Sequence, residues 1–133
     1  MKNKTELTEQ QTVIEWCEYA GAGRHPEFKS IYHIVNEGKR SKFNGAELRA
    51  AGLKKGVPDL CLPCAKGAYH ALYIEMKKDE TCSASEEQKQ WIETLKRQGN
   101  YGVVCYGAGQ AIRVLQEYIS LEAGERMNAD DQP

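Results

Sequence analysis

The sequence predicts a single α/β domain, a sandwich of helices around a mixed sheet. Three observations predict it. Segments rich in β-branched and aromatic residues alternate with amphipathic segments, in the order α-β-(α)-β-β-α-β-α. Glycines and capping residues punctuate almost every junction between them. The length of 133 residues suits one hydrophobic core and is too short for two.

The first helix is predicted over residues 6–20. Val13, Ile14, Trp16 and Cys17 supply its apolar stripe, and Gly21 and Gly23 end it. Residues 28–35 read as a strand, followed by a polar loop from Asn36 to Lys42. A short helix over 45–51 closes at Gly52. The stretch Gly56-Val57-Pro58-Asp59 turns the chain into a short strand ending near Pro63, and residues 69–77 form the clearest strand. Ser85 and Gln88 have the spacing of a capping box, opening a helix that carries Trp91, Ile92 and Leu95 inward and stops at Gly99. Residues 101–106 are a buried strand. Gly107 and Gly109 lead into a last helix with Ile112, Leu115, Tyr118 and Ile119 on one side. The folded domain is expected over 1–121, with 122–133 as a polar, flexible tail.

Charge is nearly balanced overall, 18 Lys/Arg against 19 Asp/Glu, but unevenly spread. Residues 24–55 hold eight Lys/Arg against three Glu, an excess of +5. Residues 102–133 hold two Arg against five acids, or −3. A near-neutral chain can thus offer one basic face to a polyanion, although a solvated surface would look the same. The composition, 28% charged and 41% hydrophobic, argues against disorder along the whole length. No apolar stretch approaches the roughly 18–20 residues of a membrane helix. The start, Met1-Lys2-Asn3-Lys4-Thr5-Glu6, is polar and acidic where a signal peptide needs an apolar core. A soluble, cytoplasmic protein is therefore expected. Five cysteines in no dense pattern fit reduced thiols better than a disulfide framework.

The chemistry concentrates on two short strands. Side chains alternate faces along a strand, so Glu75 and Lys77 share one face while Ile74 and Met76 take the other. If strands 59–63 and 69–77 pair as a hairpin, Asp59 comes beside Glu75. Two carboxylates can then converge on one hard divalent cation, Mg²⁺ or Mn²⁺, with Lys77 alongside. Such a set suits phosphodiester hydrolysis, the lysine orienting water or neutralising charge on the phosphate. A surface ion pair between Glu75 and Lys77 is the plainer alternative.

Pro58-Asp59 followed by Glu75-Met76-Lys77, on this element order, resembles the PD-(D/E)xK nuclease superfamily. More narrowly, the chain resembles the virus-type replication-repair nuclease family, in its small stand-alone form typical of phages. The resemblance runs from about Glu6 to Tyr118. Glu6-x3-Gln10 leading to Trp16, residues 33–40, Gly56–Leu60, Tyr69–Lys77, Ser85-x2-Gln88-x2-Trp91 and Gly99-x5-Cys105-x-Gly107 carry it. It implies a restriction-endonuclease-like α-β-β-β-α-β sandwich. It implies a metal site made by Asp59, Glu75 and the backbone carbonyl of Met76, with Lys77 as base or electrostatic helper. A first-helix glutamate joins such sites. Glu6 fits best and Glu9 is its rival, with an ordinary helix N-terminal acid as the structural alternative. Gln88 either faces the site or serves only the capping box. Lys39, Arg40 and Lys42 are the expected phosphate partners, although Glu37 adds an acid to that loop.

The implied function is a metal-dependent DNA endonuclease acting on branched DNA such as Holliday junctions, as a homodimer, in a bacterial cell. A non-cleaving DNA-binding scaffold and a metal-independent interaction domain are the rivals. Cys61-x2-Cys64 is half a zinc site with no second pair, and reads as free thiols. His33 reads as packed or hydrogen-bonded, and Trp16 and Trp91 as core anchors.

Overall fold

The computed structural model describes residues 4–35 and 44–131. Helix α1 (Glu6–Gly21) opens on a capping box in which Thr5 and Thr8 each take the other's backbone N–H. Its buried positions, Val13, Cys17 and Gly21, recur every four residues and so form one stripe. Strands β1 (Tyr32–His33), β2 (Leu60–Leu62), β3 (Leu72–Lys77) and β4 (Tyr101–Tyr106) form one open sheet in the order β1-β2-β3-β4. The first two pairings are antiparallel and β3–β4 is parallel, so the sheet is mixed as expected. Helix α2 (Gly45–Ala50) lies between β1 and β2. Helix α3 (Glu86–Arg97) makes the β3-to-β4 crossover, and α4 (Ala108–Ile119) follows β4.

Helices α1 and α4 cover one face of the sheet, and α3 covers the β4 side of the other. Leu72, Ile74 and Met76 of β3 join Tyr101 and Cys105 of β4 in the main core, with Val13 and Cys17 of α1 and Ala111, Leu115 and Tyr118 of α4. The opposite face of β4 packs on α3, where Gly102 leaves room for Ile92. By parity and register, Glu75 and Lys77 stand on the α3 face.

Two expectations change. The strand expected over 28–35 is instead a 3₁₀ turn (Pro26–Ser30) followed by the two residues of β1. Pro26 starts the turn, and Phe28 drops into the core against the edge of Trp16, ring centroids 5.0 Å apart. β1 is short because β2 offers it just Leu60 and Cys61 as partners. The segment beyond Leu121 also differs from the expected tail. Met127 is 1% exposed, Ala68 N–H donates to Glu125 O, and a 3₁₀ turn (Asn128–Asp131) brings Asp130 to the Tyr69 hydroxyl at 2.6 Å. Lys96 and Arg126 pair with the same Asp130 carboxylate. A buried methionine and a tyrosine-held aspartate explain why so polar a stretch packs down.

Candidate active site

The β2–β3 hairpin builds the site. Leu60 lies opposite Ile74, so Asp59, one residue earlier, comes level with Glu75. The Asp59 Oδ2 atom accepts the Met76 backbone N–H at 2.7 Å. The Asp59 carbonyl accepts from Ile34 N–H (2.7 Å) and from His33 Nδ1 (2.8 Å), which therefore carries the proton. Asp59 is thus fixed through both its backbone and its side chain. Gly56 adopts φ +92° and packs on the first turn of α3, where a Cβ would fall 2.7 Å from the Glu87 carbonyl carbon. A glycine is required there on both counts. That contact ties the Asp59 turn to the helix carrying Gln88.

Glu6, Asp59 and Glu75 present carboxylate oxygens that all lie within 4.8 Å of one another. Glu6 is exposed, Asp59 half-buried, and Glu75 just 2% exposed. Lys77, 8% exposed, holds its ammonium 3.8 Å from Glu75 Oε2. The same Oε2 accepts from Gln88 Nε2 at 3.1 Å. Glu75 Oε1 is buried without a hydrogen-bond partner among the described residues. Burial first, then the neighbouring Asp59 carboxylate, push the Glu75 carboxyl from an ordinary 4.5 up to about 9, against the opposing pull of Lys77.

A buried, unpartnered carboxylate oxygen is costly in isolation. Three converging carboxylates repel one another unless a proton or a cation lies among them. Both features fit a hard divalent ion with oxygen ligands, Mg²⁺ or Mn²⁺.

The other sequence-derived residues sort clearly. Gln88 meets both readings at once, since its Oε1 also accepts the Ser85 N–H at 2.8 Å to complete the capping box. Glu9 stands apart from the acidic group. Its Oε1 accepts the Ala108 N–H at 3.0 Å, capping α4 where Gly107 (φ +91°) leaves the cap without a side chain. Lys39, Arg40 and Lys42 lie outside the described residues. Cys61 is buried and Cys64 half-buried, both as free thiols. Trp91 is half-buried and donates Nε1–H to Lys55 O at 3.0 Å. Two features escaped the sequence reading. The Thr5/Thr8 box that sets Glu6 at the helix start was readable in the spacing; the His33–Asp59 carbonyl contact has no local sequence signal.

Residues 4–109 match the family model of the VRR-NUC domain. A solved structure of a VRR-NUC domain protein is similar, with a TM-score of 0.79 and 34% identity over 95% of this chain and 98% of that one. No curated protein matches the chain.

Proposed function

This chain belongs to the VRR-NUC domain family, and on that premise we propose that it is a metal-dependent DNA endonuclease cutting structured or branched DNA. The family's domain is a nuclease domain of the restriction-endonuclease-like superfamily, so the chain carries a nuclease fold with DNA as its substrate. One observation carries the finer reading. Three carboxylates converge within 4.8 Å beside a nearly buried lysine, and one of their buried oxygens lacks a hydrogen-bond partner among the described residues. A pure DNA-binding surface gains nothing from acids facing a polyanion.

In this reading Asp59, Glu75 and Glu6 hold Mg²⁺ or Mn²⁺. The Met76 carbonyl joins them. Ladder geometry turns one residue's N–H and C=O to the same strand edge, and the Met76 N–H already faces Asp59. The ion supplies Lewis acidity at the phosphate and lowers the pKa of water. Lys77 orients the attacking water or offsets charge on the phosphate oxygens. Gln88 holds the Glu75 carboxylate in one orientation. Lys39, Arg40 and Lys42 grip the phosphate backbone from the +5 segment. A homodimer would set two such sites across a branched DNA, giving symmetric cuts. No described helix is long and apolar enough to cross a membrane, and the DNA substrate is that of a bacterial cytoplasm.

The test is cleavage of end-labelled four-way junction, flap, duplex and single-stranded DNA with Mg²⁺ or Mn²⁺. Cutting that prefers a branched substrate and stops with EDTA is expected. Activity in excess EDTA would sink the metal mechanism.

A further inference from the structure

The sheet face that bears Glu75 also bears two tyrosines, one on each side of Cys61. Tyr32 of β1 pairs with Cys61 of β2, and Cys61 pairs with Tyr73 of β3, so all three side chains rise on one face. Tyr73, Glu75 and Lys77 share that face by strand parity. Strand geometry sets Tyr73 about 7 Å from Glu75 along β3, and Tyr32 about 10 Å further across two strand spacings. Helix α3 covers the β4 side of this face, while Tyr32 on the far edge is 49% exposed.

The two rings converge on Cys61. Its thiol lies against the Tyr32 hydroxyl and, with burial, raises it to about 12. Cys61 itself is buried beneath them. A solvent-facing tyrosine on an edge strand is a poor core residue and a good stacking surface.

We propose that Tyr32, backed by Tyr73, is a stacking platform for an unpaired base of the DNA strand whose phosphate occupies the acidic site. The proposal rests on the nuclease reading and specifies its substrate. Bases inside a duplex already stack on one another. A base at a flap or overhang is free to stack on an aromatic ring. The platform therefore favours DNA with unpaired bases next to the cut. The occupant follows from continuity. The pair runs from the acidic site to the strand edge on one surface, within reach of the same nucleic-acid strand.

The test uses the full chain with Glu75→Gln, which neutralises one ligand so that DNA is bound without being cut. 2-Aminopurine is placed at the unpaired position of a flap, and affinity for flap and duplex is measured in parallel. Quenching of the probe and about tenfold tighter flap binding are expected. Adding Tyr32→Ala should abolish the quench and the preference. Adding Tyr32→Phe should keep both, because the ring and not the hydroxyl stacks. Tyr19→Ala, at an 83% exposed site on α1, should change neither. An unquenched probe on the parent, or a quench that survives Tyr32→Ala, overturns the platform. The nuclease reading fails separately. A wild-type protein that quenches the probe yet cuts no DNA with Mg²⁺ or Mn²⁺ overturns that reading and supports the platform.

Discussion

The side chain of Gln88 joins the start of α3 to the carboxylate of Glu75. Its Oε1 accepts the Ser85 N–H at 2.8 Å while its Nε2 donates to Glu75 Oε2 at 3.1 Å. One amide thus serves both a helix cap and the acidic site. Gln88→Ala should cost about 1 kcal/mol through the cap and also slow cleavage. Gln88→Glu can still accept from Ser85 but sets a fourth acid against Glu75. Its melting temperature should stay near wild type in EDTA at low pH, while its cleavage rate falls more than that of Gln88→Ala. Equal rates for the two variants would reduce Gln88 to a cap.

Glu6 and Glu9, three residues apart on α1, separate by position. Glu6 reaches Asp59 and Glu75, and Glu9 reaches the Ala108 N–H. Glu6→Ala should weaken Mn²⁺ binding in calorimetry and leave the melting temperature unchanged. Glu9→Ala should leave Mn²⁺ binding unchanged and destabilise by about 1 kcal/mol, the usual worth of a cap at a helix N-terminus. The reverse pattern would exchange their roles.

Much of this architecture is legible in the sequence because it is local or periodic. Strand parity puts Glu75 and Lys77 on one face, and the hairpin puts Asp59 beside them. The Ser85/Gln88 spacing marks the start of α3. What stays hidden depends on contacts distant in sequence. Residues 28–30 have strand-like composition, yet the Phe28 ring is drawn into the core by Trp16, and Pro26 sets a 3₁₀ turn. Residues 122–131 look like a solvated tail because their anchor, Tyr69, lies some 60 residues upstream, Tyr69 and Asp130 being 61 apart. The spacing to Gln10 and Trp16 already favours Glu6; what no spacing rule supplies is the separate partner of Glu9, the Ala108 N–H 99 residues away.

The Glu75 carboxyl sits at about 9 in the folded protein against an ordinary 4.5. Folding therefore favours its protonated form. That stabilisation is fully present below about pH 4.5 and is lost as pH rises through about 9. Glu75→Gln cannot titrate. In EDTA its melting temperature should gain on wild type steadily across that window. Mg²⁺ should stabilise wild type more at high pH than at low, because binding must release the proton. A pH-independent gap between the two proteins would refute the buried proton.

Asp59 behaves differently from Glu75 although both are site acids. Removing Glu75 relieves repulsion, but removing Asp59 also strands the Met76 N–H. Asp59→Ala should therefore lose cleavage and cost about 1–3 kcal/mol in EDTA. Asp59→Asn keeps an oxygen for that N–H and removes a charge beside Glu75. It should lose cleavage at little cost in stability. Denaturant melts of the two variants distinguish these outcomes.

Lys77 is the remaining charged group in the nearly buried part of the site, 3.8 Å from Glu75 Oε2. Its positive charge pulls the Glu75 carboxyl down, against burial and Asp59. Lys77→Ala therefore removes two things, a cation beside the acidic site and part of what holds the Glu75 carboxyl down toward the range where a metal ion can displace its proton. The second loss weakens metal binding at neutral pH, and raising the pH should restore it by deprotonating Glu75. The first cannot be restored in this way. Single-turnover cleavage at saturating Mn²⁺ should stay down by roughly 10²-fold or more at every pH. If raising the pH recovers the rate along with the metal affinity, Lys77 acts through Glu75 alone and does not touch the phosphate or the water.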